Sequence, residues 1–193
     1  MQVNNFLSGK RNLPTISIIF IIFLLTAPTF SLDARAATAR EIDVSVDVIL
    51  NRFKNEIRGS NEFLANAKGV LVIPNVIKVG FGLGGEYGEG ALIIDNKTVD
   101  YYSFAAGSIG FQIGVQSKHV VIIFMDENAL TEFRDRLGWR AGIDGSVVLV
   151  DSGAATSVDT DNVQHPIVGF IFGLKGLMVN LSLEGAKFTK LLK

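Results

Sequence analysis

The most informative stretch of the sequence is Val79-Gly-Phe-Gly-Leu-Gly-Gly-Glu-Tyr-Gly-Glu-Gly-Ala-Leu-Ile-Ile94. Its alternation of residue types with a period of two predicts a β-strand, because successive side chains of a strand point to opposite faces. One face carries glycine at positions 80, 82, 84, 88 and 90, whereas the other carries Val79, Phe81, Leu83 and Tyr87. Glycine inside a strand costs roughly 0.5–1 kcal/mol relative to alanine. We therefore expect sharp curvature, or the close approach of another backbone, along the glycine face.

Strand-like segments continue on both sides of this stretch. An aliphatic run at 70–73 precedes it and is closed by Pro74, and the turn Asp95-Asn96-Lys97 follows it. Apolar runs then predict strands at 99–104, 109–115, 119–125, 146–150 and 167–172. Residues 177–183 are predicted to pair back as a hairpin across a turn at 173–176.

Helix signals precede the strand-like segments, at residues 38–67. Thr38 and Glu41 form a capping box, in which each side chain accepts a hydrogen bond from a backbone N–H at a helix start. Positions 42–48 also alternate strictly, so a strand is the alternative, but the cap and the longer periodicity favour a helix over 39–58 that stops at Gly59. A short second helix is predicted over 60–67. The apolar residues at helical steps are Ile42, Val46, Ile49, Leu50, Phe53 and Ile57.

A further helix is predicted at about 126–137, between two strand regions. Asp126 is a suitable N-cap, Leu130, Phe133 and Leu137 share one face, and Gly138 follows as the residue after the helix end. Together these signals predict an α+β domain. We expect a strongly curved, antiparallel, barrel-like β-sheet with N-terminal helices and one inserted helix.

Residues 1–36 have the pattern of a secretory signal peptide. Lys10 and Arg11 precede an apolar run at 16–27, and the small residues Ala34 and Ala36, on either side of Arg35, provide a cleavage site near Ala36. An uncleaved anchor is the alternative, but the apolar run is shorter than the roughly 20 residues of a membrane-spanning helix. We therefore expect an exported protein of the periplasm or cell envelope, with residues 37–193 as its single domain.

The composition excludes several classes of function. The chain has 48% hydrophobic and 19% charged residues and no cysteine. The missing cysteines exclude disulfides, cysteine-ligated zinc, iron–sulfur clusters and a thiol nucleophile. Because 18 basic residues are balanced by 19 acidic ones, a nucleic-acid partner is not expected.

The motifs that carry enzyme chemistry are absent or out of context. The glycines at 80, 82 and 85 match the dinucleotide-binding pattern, but no helix is predicted to follow them, so no nucleotide is expected. Glu86 and Glu89 point to opposite faces of a strand and do not form an acid/base pair. His119 and His165 stand alone, which indicates neither a metal site nor a catalytic triad. We expect no catalytic residues, no metal and no cofactor.

Basic residues beside apolar or aromatic ones provide the candidate lipid contacts. Such pairs suit a membrane interface, where each basic residue contributes on the order of 1 kcal/mol at an anionic surface. The alternative is that these lysines only protect sheet edges from aggregation. The candidate lipid-binding residues are Lys68, Lys78, Lys118, Trp139, Arg140, Lys175, Lys187 and Lys190.

Four phrases of the sequence resemble one known family, the SYLF domain family of lipid-binding proteins. The resemblance extends over most of residues 37–193. The phrases are Ala67-Lys-Gly-Val-Leu-Val-Ile-Pro-Asn-Val-Ile-Lys-Val-Gly-Phe-Gly-Leu-Gly-Gly-Glu-Tyr-Gly-Glu-Gly90, Gly110-Phe-Gln-Ile-Gly-Val-Gln-Ser-Lys118, Gly138-Trp-Arg-Ala-Gly-Ile-Asp-Gly-Ser146 and Gly173-Leu-Lys-Gly-Leu-Met178.

This resemblance implies binding of phospholipid or phosphoinositide without catalysis or a cofactor. Eukaryotic relatives join the domain to SH3 or FYVE modules and act in endocytosis, some of them with actin filaments. The sequence has neither module and is similar to the exported, single-domain bacterial type. Lipid contact in relatives is associated with basic residues and an amphipathic N-terminal helix. Here the helix at 39–58 carries equal numbers of basic and acidic residues, which predicts weak selectivity for anionic lipid.

The sequence therefore predicts a non-enzymatic protein of the bacterial cell envelope that binds phospholipid or a membrane surface. The alternative is a periplasmic protein–protein interaction module that does not bind lipid.

Overall fold

A computed structural model describes residues 37–151, 165–176 and 182–193, except for the side chains at 81–82, 108–113 and 151. The signal-peptide prediction and most of the hairpin predicted at 177–183 lie outside these residues. The described elements are α1 (Ala39–Glu56), α2 (Ser60–Asn66), β1 (Gly69–Ile94), β2 (Lys97–Phe124), α3 (Glu127–Asp135), β3 (Gly138–Arg140), β4 (Val148–Asp151), β5 (Ile167–Lys175) and β6 (Lys187–Leu191).

The N-terminal helices form as the capping and periodicity signals predict. The Thr38 hydroxyl accepts a hydrogen bond from the Glu41 N–H, and the Glu41 carboxylate accepts one from the Thr38 N–H at 2.7 Å. This reciprocal cap fixes the start of α1 and excludes the alternative strand at 42–48. Gly59 adopts φ 77°, a left-handed conformation that favours glycine, and separates α1 from α2.

The centre of the fold is a long antiparallel hairpin of β1 and β2. Its register runs from Gly69 opposite Phe124 to Ile94 opposite Lys97. Asp95 and Asn96 close it with φ values of 50° and 60°, which are the backbone angles of a type I′ hairpin turn. The turn predicted from the sequence is confirmed.

Two predicted interruptions of the hairpin are wrong. Pro74 does not end a strand, because a bulge between Ile73 and Val76 carries β1 past it, and β1 is paired only on its β2 side among the described residues. The runs predicted at 99–104, 109–115 and 119–125 are one continuous strand. The glycines of this region therefore bend the strands without ending them. Residues 80–85 lie within β1, so the helix that a dinucleotide fingerprint requires does not follow them.

The other strands join the second edge of β2. Tyr101–Ala105 pair with β6, and β5 pairs further along at residues 117–124. β3 adds antiparallel to β6, and β4 adds parallel to β5. The resulting mostly antiparallel sheet curls into a half-barrel. The predicted α+β class with a strongly curved sheet is confirmed.

The glycine face of β1 is explained by the curling of the strand back onto itself. A Cβ at Gly90 would overlap the carbonyl oxygen of Val72, and one at Gly88 would lie 2.9 Å from the Ile73 side chain. The predicted close approach is therefore confirmed, and the approaching backbone belongs to the same strand. We call the face toward which Gly88 and Gly90 point the inner face, and the opposite one the outer face.

Each face of the sheet packs its own core. On the outer face, α1 and α2 cover the first part of the hairpin, and Phe53 contacts Phe170 with ring centroids 4.9 Å apart. On the inner face, α3 packs against the sheet through Phe133, and Trp139 of β3 lies in the same core. Burial of these large apolar side chains holds the described unit, Ala37–Lys193, together.

The inserted helix α3 is shorter than predicted. Asp126 is its N-cap and accepts a hydrogen bond from the Ala129 N–H, as the sequence predicts. The helix ends at Asp135, so Gly138 begins β3 and does not act as the residue after the helix. The prediction that Leu137 shares the buried face is wrong, because Leu137 lies beyond the end of the helix and is 85% exposed.

Candidate functional site

Two lysines and one glutamate meet on the inner face of the sheet. Lys118 Nζ lies 2.7 Å from Glu86 Oε2, and Lys78 Nζ lies 3.4 Å from Glu86 Oε1. The side chains are only 5%, 6% and 2% exposed for Lys78, Glu86 and Lys118. We call these three residues the inner triad. It carries a formal excess of one positive charge, because two ammonium groups share one carboxylate.

The curl of β1 brings the inner triad together. Lys78 and Glu86 have the same strand parity and therefore share a face. In a straight strand their Cα atoms would be about 26 Å apart, at about 3.3 Å per residue, which is too far for one carboxylate to reach a lysine. Lys118 enters from β2, two residues after Gln116, the register partner of Lys78.

An aromatic ring borders the inner triad on one side, and glycine positions without side chains border it on the other. The Phe104 ring centroid lies 5.9 Å from Lys118 Nζ. Positions 80 and 84, between Lys78 and Glu86 on the same parity, are glycines. A Cβ at Gly114, which is opposite Gly80, would meet no atom within 4 Å. The nearest register pair on this side of Lys78 therefore carries no side chain, and the position of a Cβ at Gly114 is open.

The outer face of the same hairpin exposes a group of apolar side chains, which we call the outer patch. Val79 and Val115 are directly opposite in the register. Tyr87 donates a hydrogen bond from its hydroxyl to Glu89 Oε1 at 2.7 Å, at the rim of the patch. Desolvation and this hydrogen bond raise the Tyr87 pKa to about 12, so its hydroxyl stays neutral. The outer patch comprises Ile77, Val79, Leu83, Tyr87 and Val115, which are 49%, 56%, 72%, 53% and 66% exposed.

The outer patch is not among the residues predicted from the sequence, because that prediction rests on basic residues. The signal was present in the alternation, because odd positions from 77 to 87 are apolar or glycine. The sequence did not show that α1 and α2 would leave this part of the face uncovered.

The structure brings only some of the predicted lipid-binding residues together. Lys78 and Lys118 meet in the inner triad. Arg140 and Lys187 are opposite each other in the β3–β6 ladder, and both are exposed. Lys190 forms an ion pair with Asp100 at 2.7 Å. The remaining predicted basic residues, Lys68 and Lys175, are exposed at strand ends away from this ladder.

Trp139 lies in the inner core and is only 1% exposed. Its ring packs against Phe133 and Phe188, with centroids 5.5 Å and 5.9 Å away. It also lines a cleft of about 300 Å³ next to the start of α3, together with Asp126 and His165. In this position Trp139 supports the core beneath β6.

His119 lies at a junction between α1, β1, β2 and β5. Arg52 Nη1 is 2.9 Å from His119 Nε2, and the Asn75 N–H donates to His119 Nδ1 at 3.2 Å. Gly173, at φ 65°, leaves room for the ring, because a Cβ there would overlap it. His119 follows Lys118 directly and so points to the opposite face from Glu86. The two residues therefore do not form a catalytic pair.

Protonation of His119 is expected to make the protein less stable in acid. Burial, Arg52 and Lys175 lower the His119 pKa, against the opposing effect of Glu56. The folded pKa then lies below the ordinary value of 6.5, so the unfolded chain binds the proton first as the pH falls. The contribution of His119 to the free energy of unfolding should be constant above pH 6.5. It should decrease as the pH falls from 6.5 to the folded pKa.

Urea unfolding over a series of pH values checks this expectation. The His119→Gln variant should lose part of the decrease in the free energy of unfolding between neutral and acidic pH. Identical pH dependence in the variant and the wild type would refute the assignment.

Within residues 37–151, 165–176 and 182–193, no three His, Asp or Glu side chains are arranged to hold a metal ion. In the same ranges, no helix combines the length and the apolar character needed to cross a bilayer.

Comparison with known proteins bears on the second part of the chain. Residues 105–191 match the family model described as Ysc84: Las17-binding protein actin regulator, which corresponds to the SYLF domain. The predicted resemblance to the SYLF family is confirmed over these residues. The SYLF match runs from β2 to the end of β6 and includes Lys118. No curated protein matches the chain.

Proposed function

We propose that the protein is an exported, non-enzymatic phospholipid-binding protein that associates with membrane surfaces of the bacterial cell envelope. The observation that carries this proposal is the outer patch, an exposed apolar surface on a two-stranded part of the sheet. Exposed apolar groups that are contiguous mark interaction surfaces. The SYLF family match supports a role in binding at the level of the family.

The chemistry of the outer patch fits the boundary between headgroups and acyl chains. On this face of the hairpin, residues 77, 79, 83, 85 and 87 carry no charge, nor do 105, 107, 115 and 117 on the partner strand. Tyr87 places an apolar ring in the patch and a hydroxyl at its polar rim, the arrangement that favours aromatic residues at membrane interfaces. Apolar insertion is therefore the main contribution that we propose, and attraction of lysines to anionic lipid is secondary.

The second candidate is a periplasmic module that docks a protein on the outer patch and does not bind lipid. The description of the matched family as a Las17-binding protein favours it, because that description names a protein partner of relatives. The two candidates differ in whether the purified protein binds protein-free vesicles.

Flotation with vesicles of phosphatidylethanolamine and phosphatidylglycerol tests the proposal on residues 37–193. Binding is expected to persist when salt is raised, since screening weakens charge attraction and leaves apolar insertion unchanged. Leu83→Glu should reduce binding by about tenfold or more, because burial of a leucine side chain contributes about 1.5–3 kcal/mol.

A matched control separates the patch from a general effect of charge. Val44→Glu makes the same change at a residue of α1 that is 59% exposed and lies outside the patch, and it should bind as the wild type does. Absence of flotation at low salt would refute lipid binding and favour the protein-docking module. Equal loss in both variants would refute the assignment to the outer patch.

A further inference from the structure

The inner triad has more positive charge than its structural role requires. One lysine is enough to neutralise Glu86, yet two buried lysines contact it. Among the described residues, no second carboxylate lies within ion-pair distance of Lys78 or Lys118. A buried charge without a counter-charge is costly, and proteins retain such groups mainly where they act.

The ammonium group of Lys118 has the capacity to bind a second anion. A lysine carries three N–H donors, and Lys118 Nζ makes no hydrogen bond among the described residues, although it lies 2.7 Å from Glu86 Oε2 as an ion pair. The Phe104 ring borders the ammonium on an apolar side. The Lys118 side chain is 2% exposed, so water screens its charge little and an anion placed beside it would be held strongly.

The glycine backbone provides the space that such an anion needs. Gly80 and Gly84 flank the triad without side chains, and the position of a Cβ at Gly114 is open. The curl that produces this bare surface also produces the triad. Gly80 and Gly114 form the register pair that follows Lys78 and Gln116 on the same face, so the open position lies one pair along the hairpin from the excess charge.

We propose that the inner triad is an anion site that takes a phosphate group, with Lys78 and Lys118 as its ligands and Glu86 as the residue that positions both ammonium groups. A phosphodiester carries one negative charge and would bring the group to neutrality. Lysine is a common phosphate ligand because it acts as a compact point charge. The inference rests on the proposed lipid function, and it names the part of the lipid that the inner face would recognise.

Thermal unfolding with three soluble probes tests this site on residues 37–193. The probes are inorganic phosphate, glycerophosphocholine, and a short-chain phosphatidylcholine below its micelle concentration, each compared with sodium chloride of equal ionic strength. At least one should raise the transition temperature of the wild type by about 2 °C or more, because a ligand of the folded state stabilises it. Lys118→Met should remove that shift and leave the neutral Lys78–Glu86 pair.

The controls keep the result independent of folding and of salt effects. Lys97→Met removes an exposed lysine at the hairpin turn and should respond as the wild type does. Lys78→Met provides a second variant of the site if Lys118→Met does not fold. General stabilisation by phosphate as a salt would appear equally in every variant, so only the difference between variants counts.

The outcomes distinguish the sources of the phosphate. Shifts with glycerophosphocholine or the short-chain lipid, and not with inorganic phosphate, would identify a lipid headgroup. A shift with inorganic phosphate alone would support the site and identify free phosphate as its ligand. No shift with any of the three probes, or an equal shift in Lys118→Met, would overturn the proposal. Vesicle flotation by the outer patch could still succeed in that case, so the two failures are distinguishable.

Discussion

Gly90→Ala is expected to destabilise the protein by about 3 kcal/mol or more. The added methyl group would overlap the carbonyl oxygen of Val72 and lie 2.8 Å from the Ile73 Cα, so it meets backbone that no rotamer change can move aside. Overpacking a closed site commonly costs about 1–3 kcal/mol, and the cost is greatest where the neighbour is main chain. Urea unfolding, monitored by circular dichroism, measures the change in the free energy of unfolding.

Gly85→Ala provides the matched control on the same strand. A Cβ at Gly85 would meet no atom within 4 Å. This substitution should therefore be neutral or stabilise the protein by up to about 1 kcal/mol, since alanine reduces the freedom of the unfolded chain. Similar stabilities for the two variants would show that β1 does not fold back against its own start.

Glu86→Gln should be the second strongly destabilising substitution, with a cost of about 3–5 kcal/mol. It leaves Lys78 and Lys118 buried without the carboxylate that both contact, and an uncompensated buried charge has a penalty of this size. The amide is similar in shape to the carboxylate, so the loss reports charge and not volume. Chemical denaturation of the variant and the wild type gives the difference.

Two comparisons make this prediction specific to the buried group. Glu56→Gln breaks an exposed ion pair with Arg52 and should leave the free energy of unfolding nearly unchanged. Lys118→Met added to Glu86→Gln removes one of the two stranded charges and should restore part of the loss. If Glu86→Gln were as stable as the wild type, the triad would not hold two charged lysines.

The parts of the fold that were predictable from the sequence depend on local signals. The capping box at Thr38 and Glu41 fixed the start of α1, and Asp95-Asn96 fixed the hairpin turn. Errors occurred where pairing overrode a local signal. Pro74 reads as a strand end, but on the unpaired edge of β1 a bulge accommodates it.

The candidate sites were predictable only in part. Lys78 and Lys118 were recognised individually as basic residues beside apolar ones, and Glu86 was considered as a partner of Glu89. Their meeting depends on how far β1 curls, and the period-two pattern gives the face of a residue without the curvature of the strand. The shared parity of Lys78, Glu86 and the glycines was the available signal. The outer patch depends equally on tertiary structure, because only the positions of α1 and α2 decide which part of the face remains exposed.

The long hairpin also has a consequence for the order in which the chain folds. The type I′ turn at Asp95 and Asn96 brings Ile94 and Lys97 together first, and each further pair closes a slightly larger loop until Gly69 meets Phe124. Such pairing proceeds through local contacts, which form faster than contacts between distant parts of a chain. β5 and β6 then add to an edge that the hairpin has already formed. We expect the β1–β2 ribbon to be the folding nucleus on which the rest of the sheet assembles.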